Sequence, residues 1–330
     1  MKYLRVLALI ALTATLFASC EEVMEIDESK IESPLVLNAM PSNGQQMFVN
    51  FTRTRFFLAD TYKPLSNATI SLLVNNTPVA VDSVSGCNYF FGYTAAPGDS
   101  LRITASHNGQ TATASTYVPY MPTLNNVSAR LDSSLFHMVM IKFQLADIAD
   151  LHEMYHINVV ERDSGLRRNI MTGGFDTIDT TFNPYFICND RLITDPSVAA
   201  FQPFGGFFYQ RILCSDSLID GRNYNVTLMV LKLVDTTEVK PFSHSYSLNF
   251  ESVTPERFDY LCQVANASNS NTMFAEPSQV KGNINGALGV FAGTAKQLIP
   301  LNLDSTIAPS TPPMISDPQA VLDAYRRLCK

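Results

Sequence analysis

Leu101-Arg102-Ile103-Thr104-Ala105-Ser106-His107-Asn108-Gly109-Gln110-Thr111-Ala112-Thr113-Ala114-Ser115-Thr116-Tyr117 is built as two alternating runs around Asn108-Gly109. Both central residues tolerate positive φ, as a tight hairpin turn requires, so the stretch predicts antiparallel strands over residues 101–107 and 111–117. Upstream, residues 35–39, 47–52, 68–74 and 89–93 carry β-branched and aromatic side chains. Asn43-Gly44, Asn75-Asn76 and Pro97-Gly98 punctuate them as turns. Short strands at this spacing predict an immunoglobulin-like antiparallel β-sandwich over residues 35–122.

Residues 119–122 begin and end in proline and read as a stiff joint. Beyond it, strands are expected at 123–131, 136–145, 155–162, 224–234 and 243–250, with short strands and exposed loops across 163–220. The second domain, 123–304, is thus also of β-sandwich type, and the fold class is mainly β with one or two short helices. Thr254 as N-cap, Pro255 as first helical residue and Glu256 in the first turn predict a helix over 255–267. Residues 305–330 read as a proline-rich arm ending in a helix, where Asp317 and Pro318 repeat the start signal before Val321, Leu322 and Tyr325.

The N-terminus has the layout of an export signal over residues 1–19: Lys2 and Arg5 are positive, and residues 6–17 are apolar. That run is too short to span a bilayer. Ala18 and Ser19 precede Cys20, the order a lipoprotein signal peptidase accepts, so Cys20 is expected to be lipidated and to become the first mature residue. Each buried methylene contributes about 0.8 kcal/mol, and two or three acyl chains then anchor the protein without a membrane helix. The apolar stretch 135–151 offers none, because His137, Lys142, Gln144, Asp147 and Asp150 interrupt it. The charged, helix-like end also argues against a membrane barrel. Glu21, Glu22, Glu25, Asp27 and Glu28 make residues 20–34 an acidic tether.

With 23 basic and 30 acidic residues the formal charge is −7, and losing Lys2 and Arg5 with the signal makes it −9. Such a chain repels nucleic acid. The other cysteines, Cys87, Cys188, Cys214, Cys262 and Cys329, are odd in number and lack metal-ligand spacing, so they are expected to be mostly buried small apolar residues. Neither a metal nor another cofactor is expected.

Several constellations carry sharper readings. His152-Glu153-Met154-Tyr155-His156 matches the zinc-protease pattern, which needs a helix so that both imidazoles face one ion. Tyr155, Ile157 and Val159 instead alternate as in a strand, which sets residues 152 and 156 about 13 Å apart. Phe182, Tyr185, Phe186, Phe201, Phe204, Phe207, Phe208 and Tyr209 lie among prolines and glycines. Of these, Phe204, Phe207, Phe208 and Tyr209 are the candidate ligand-stacking rings, with packing between sheets as the alternative. Ser83, Ser100, Thr177, Thr180, Ser217, Thr236 and Ser305 follow aspartate as O-glycosylation acceptors do, though such pairs also favour turns. Gly282, Gly286, Gly289 and Gly293 recur among apolar residues, as suits backbone lying closely against another sheet.

Read together, these segments resemble a Bacteroidota outer-membrane lipoprotein family, domain of unknown function 4249. Near the anchor the likeness lies in Ser33-Pro34-Leu35-Val36-Leu37-Asn38 and in Pro64-Leu65-Ser66-Asn67-Ala68-Thr69-Ile70. In the middle it lies in Leu145-Ala146-Asp147 followed by Tyr155, and in Ser215-Asp216-Ser217-Leu218-Ile219-Asp220-Gly221. Its most specific part is residues 252–260, Phe274-Ala275-Glu276-Pro277 and Asn283-Ile284-Asn285-Gly286-Ala287-Leu288-Gly289-Val290-Phe291-Ala292-Gly293. Ala287 departs from the pattern, where a second glycine is usual. The acidic run after Cys20 resembles the signal that sends such lipoproteins to the cell surface. The resemblance implies a non-enzymatic accessory or binding lipoprotein, often encoded beside TonB-dependent transporters, and it supplies no catalytic residues. The alternatives are a structural or adhesive surface module and, remotely, a zinc metalloprotease using His152, Glu153 and His156.

Overall fold

Strands β1 (Leu35–Asn38), β2 (Gln46–Arg53), β3 (Thr69–Val74), β4 (Thr77–Val79), β5 (Val81–Ser85), β6 (Asn88–Thr94), β7 (Ser100–His107) and β8 (Gln110–Tyr117) build the N-terminal part of the computed structural model. The structure describes residues 33–55, 64–132, 138–188, 208–231, 238–269 and 280–303. The signal, Cys20, most of the tether, Phe204, Phe207, Cys329, the arm and the C-terminal helix lie outside them. The deciding hairpin forms as read: Asn108 and Gly109 have φ of 50° and 79°, and β7 pairs with β8 from Ser100↔Tyr117 to His107↔Gln110. Asn75 and Asn76, at φ 50° and 64°, turn β3 into β4 in the same way.

Two four-stranded sheets result, β1-β2-β6-β5 and β4-β3-β7-β8. Their alternating inward residues share one core, which includes Leu37, Val49, Phe51, Leu72, Phe91, Leu101 and Ile103. Each such side chain contributes roughly 1.5–3 kcal/mol when fully buried. Sequence periodicity missed β4 and β5. Their side chains are nearly all exposed, so no apolar alternation marks them.

The second sandwich contains β9 (Thr123–Asp132), β10 (Met138–Ala146), β11 (Met154–Arg168), β12 (Phe175–Phe182), β13 (Phe186–Ile187), β14 (Phe208–Tyr209), β15 (Ile212–Ser215), β16 (Asn223–Leu231), β17 (Glu238–Val253) and β18 (Thr294–Leu301). One sheet runs β14-β13-β16-β10-β9, and the other runs β12-β11-β17-β18 with β15 also on β11. Tyr155, Ile157 and Val159 of β11 meet Phe143, Leu228, Leu248 and Phe250 in the core. Phe143 and Phe250 pack edge-on at 6.3 Å. Cys188 and Cys214 are buried in the same core.

Helix α1 (Pro255–Asn269) starts where the sequence places it. The cap differs, since the Thr254 hydroxyl is buried without a hydrogen-bond partner among the described residues. The backbone does that work instead: Thr254 accepts from the Phe258 amide at 2.9 Å and donates to Gly293 at 3.1 Å. Leu261 with Phe258 and Cys262 packs the helix on Leu213.

The glycine-rich segment, read as part of the 123–304 domain, lies against the first sandwich. It runs parallel to β1 through the bridges Val36↔Leu288, Ala39↔Phe291 and Ser42↔Thr294, and it touches β8 at Thr113↔Asn285. Phe291 is fully buried in the first core, and Ile284 and Ala287 pack against it. The segment then enters β18, so one stretch of backbone ties the two sandwiches together.

Candidate functional site

Among the described residues, strand β11 contributes to three clusters of polar and charged side chains, and its two faces lead in different directions. Odd positions from Tyr155 to Val159 fill the core, and the same face continues outward as Glu161 and Asp163. Even positions, His156 and Asn158, line the opposite face.

The zinc-protease pattern falls across this strand and its entrance rather than on a helix. His156 pairs in register with Glu251 of β17, and its Nδ1 donates to that carboxylate at 2.9 Å. Asn249 supports the same carboxylate at 3.0 Å. Burial opposes ionisation of Glu251, but the hydrogen bond and charge of His156, with help from Asn249 and Lys296, hold its pKa down to about 2. His152 is exposed before the strand begins. The two imidazoles therefore do not share an ion, and Glu153 has a different set of partners.

Glu153 sits in an acidic cluster at the end of the second sandwich. Its amide donates to Asp216 at 2.6 Å, and its carboxylate accepts from the Tyr155 hydroxyl at 2.8 Å. The single Tyr155 proton is shared with Asp147, which also accepts from the Gly221 amide at 2.8 Å. Gly221 has φ of 66°, and a Cβ there would lie 2.8 Å from Ala149. The aspartate-then-tyrosine and serine-aspartate-glycine segments therefore meet in space, and their carboxylates pin two loops by accepting backbone and hydroxyl hydrogens.

Desolvation raises the pKa of Glu153 to about 7, with the charges of Asp147 and Asp216 acting in the same direction against the Tyr155 hydrogen bond. The carboxyl is ordinary, near 4.5, in the unfolded chain, so the folded state binds the extra proton between pH 4.5 and 7. Stability attached to this group is complete below 4.5 and is lost as pH rises through 7. Glu153→Gln, which mimics the protonated form, is expected to gain on wild type by on the order of 2 kcal/mol between pH 5 and 7. Urea melts at the two pH values check this, and a gap that stays constant with pH would refute it.

A third constellation was invisible in sequence. Glu161 and Asp163, two apart on β11, face His244 of β17. His244 Nδ1 lies 2.7 Å from Asp163 and 3.3 Å from Glu161. The Tyr246 hydroxyl donates to Glu161 at 2.7 Å, and Arg167 approaches Asp163 at 4.0 Å. Glu161 and Asp163 are 5% and 6% exposed. Just outward, Gly165 at φ 148° interrupts the β11–β17 register and lets Phe242 close over it, 2.7 Å from where a Cβ would stand. Phe242 lies 5.1 Å from the His244 ring. These are the described residues whose donor atoms come close enough to hold one metal ion. The signal lay in strand alternation on two distant segments, which no linear motif records.

The aromatic candidates separate. Tyr209 is 8% exposed and stacks on Phe186 at 6.4 Å within the second core, so its ring serves packing rather than an open ligand face. The backbone of Phe208 pairs with Ile187, and Phe204 and Phe207 lie outside the described residues. Three of the exposed apolar side chains, Ile170, Met171 and Phe175, lie instead on the β11–β12 hairpin, 79%, 94% and 63% exposed.

The glycine signature is structural. A Cβ on Gly282 would stand 1.6 Å from the Gly289 carbonyl oxygen, and one on Gly293 would stand 1.7 Å from that of Tyr117. Gly286 and Gly289 approach Thr111 and Leu37 almost as closely, at positive φ.

Two antiparallel β-sandwiches tied by a glycine-rich strap, with carboxylates that pin loops and strands, define a mainly β protein. Among the described residues no helix is long and apolar enough to cross a membrane. The chain belongs to the family described as Domain of unknown function (DUF4249), whose model matches residues 21–297. No curated protein compared with the chain matches it.

Proposed function

We propose that the protein is an outer-membrane lipoprotein, held by acyl chains on Cys20 and displayed at the cell surface by its acidic tether. It acts there as a non-enzymatic accessory or binding component of a TonB-dependent transporter. The observation that carries this reading is the export signal ending in Ala18-Ser19-Cys20, with the family match starting at the next residue, Glu21. The apolar tip formed by Ile170, Met171 and Phe175 supports a binding role, because isolated exposed side chains are ordinary but a grouped set marks contact surface.

Acylation of Cys20 is expected to be visible as a lipid adduct on the N-terminal peptide of protein taken from the native envelope. Cys20→Ser should shift the protein from the membrane to the soluble fraction. A membrane-bound Cys20→Ser variant, or an unmodified thiol, would remove the anchor from the proposal. Co-purification from native membranes then separates the two roles: a stable transporter complex favours the accessory function. Its absence favours a structural or adhesive module.

A further inference from the structure

We propose that Glu161, Asp163 and His244 bind one divalent transition-metal cation of the zinc type, independently of how the chain is anchored. The set combines two carboxylate oxygens and one imidazole nitrogen, a mixture suited to borderline cations such as Zn²⁺. Their donor atoms all lie within 4.8 Å of one another, and the two histidine-to-carboxylate separations are 2.7 and 3.3 Å. A zinc ion bonded at about 2.1 Å to each of two ligands sets those ligands roughly 3–3.5 Å apart; the His244–Glu161 edge has that length, and the His244–Asp163 edge, now at hydrogen-bond length, needs to open by about half an ångström.

Position strengthens the assignment. Glu161 and Asp163 stand on the core-facing side of β11, more than nine-tenths buried, where two neighbouring anions are costly without positive charge between them. The Arg167 guanidinium of the same strand reaches Asp163 at 4.0 Å. Two carboxylates and a neutral imidazole carry −2, which one dication cancels. The surroundings also fix the ligands before any ion arrives: the Tyr246 hydroxyl orients Glu161, and Phe242 packs on His244 above the Gly165 irregularity. Such outer contacts set ligand direction in metal sites. Three protein ligands leave a coordination position for water or for a ligand brought by a partner.

The competing account is a closed ion network in which His244 keeps its proton and donates it to Asp163. Metal binding replaces that proton, so the two accounts predict different behaviour. The full chain is dialysed to equilibrium against ZnCl2, its metal content is measured, and its melting temperature is followed with and without zinc. One zinc per chain, a raised melting temperature and weaker binding at lower pH are expected. His244→Gln and Asp163→Asn should lose the ion, Tyr246→Phe should bind about tenfold more weakly, and His152→Ala should bind unchanged. Failure of the wild-type chain to retain zinc overturns the site, as does undiminished zinc in His244→Gln. Should the ligand variants fail to fold, Co²⁺ bound to the wild-type chain replaces them. A spectrum of nitrogen and oxygen ligation supports the assignment, and thiolate charge-transfer bands, which place the ion on a cysteine, overturn it.

Discussion

Gly293→Ala is expected to destabilise the protein by about 4 kcal/mol or more, a large part of the roughly 5–15 kcal/mol that holds a domain folded. The added methyl would stand 1.7 Å from the Tyr117 carbonyl oxygen and 2.7 Å from its carbon. No flexible side chain can swing aside, because the obstacle is backbone. Nor can Gly293 retreat: its amide donates to Thr116 Oγ1 at 3.1 Å, and its carbonyl accepts from Thr254 at 3.1 Å. The substitution must therefore separate the strap from β8 or from the start of α1. Gly109→Ala is the proper comparison, since Gly109 has φ of 79° but nothing within 4 Å of the position a Cβ would take. That variant should lose only about 1 kcal/mol, the ordinary cost of a left-handed non-glycine residue. Denaturant titration of both decides the matter, and equal losses would show that close approach is not what the signature serves.

His156→Ala is the second large effect, expected at about 3–5 kcal/mol near neutral pH, because it leaves the Glu251 carboxylate buried without its main partner. The pH dependence follows from the depressed pKa of Glu251, about 2 against an unfolded value near 4.5. A carboxyl whose folded pKa is lowered contributes stability above its unfolded value and loses it as pH falls through the folded one. Wild type should accordingly shed on the order of 3 kcal/mol through this group between pH 4.5 and 2. His156→Ala should shed much less over that range. Adding Glu251→Gln to His156→Ala should recover part of the loss at pH 7, since no buried charge is then left alone. A double variant no more stable than His156→Ala would mean that lost packing at the imidazole, rather than charge, sets the cost.

What could be read in sequence followed local rules. The Asn108-Gly109 and Asn75-Asn76 turns need positive φ, and both residues of each pair adopt it. Alternation located the strands with one face on a core, and β11 was recognisable from Tyr155, Ile157 and Val159 despite a letter-for-letter protease motif across it. Thr254, Pro255 and Glu256 placed the helix start, although the threonine side chain makes no cap. Edge strands such as β5 lacked alternation because neither face is covered. The strap's location depended on pairing between β1 and residues far along the chain, which no local pattern encodes. Glu161, Asp163 and His244 were hidden for the same reason, since only the β11–β17 register brings the histidine opposite the aspartate.

The strap also constrains the order of events during synthesis. The amide of Val290 bonds to Asn38 across 252 positions, and Phe291 completes a hydrophobic interior whose other fully buried members all precede residue 119. The N-terminal module emerges first, whether from the ribosome or from an export channel, yet that module lacks its last wall until the tail has emerged. Bridging so long a separation is entropically slow, and contacts of this range retard folding. The emerging protein is thus expected to stay open along the β1 edge until the strap has arrived, and truncation before residue 291 to leave Phe291's place in the interior unfilled.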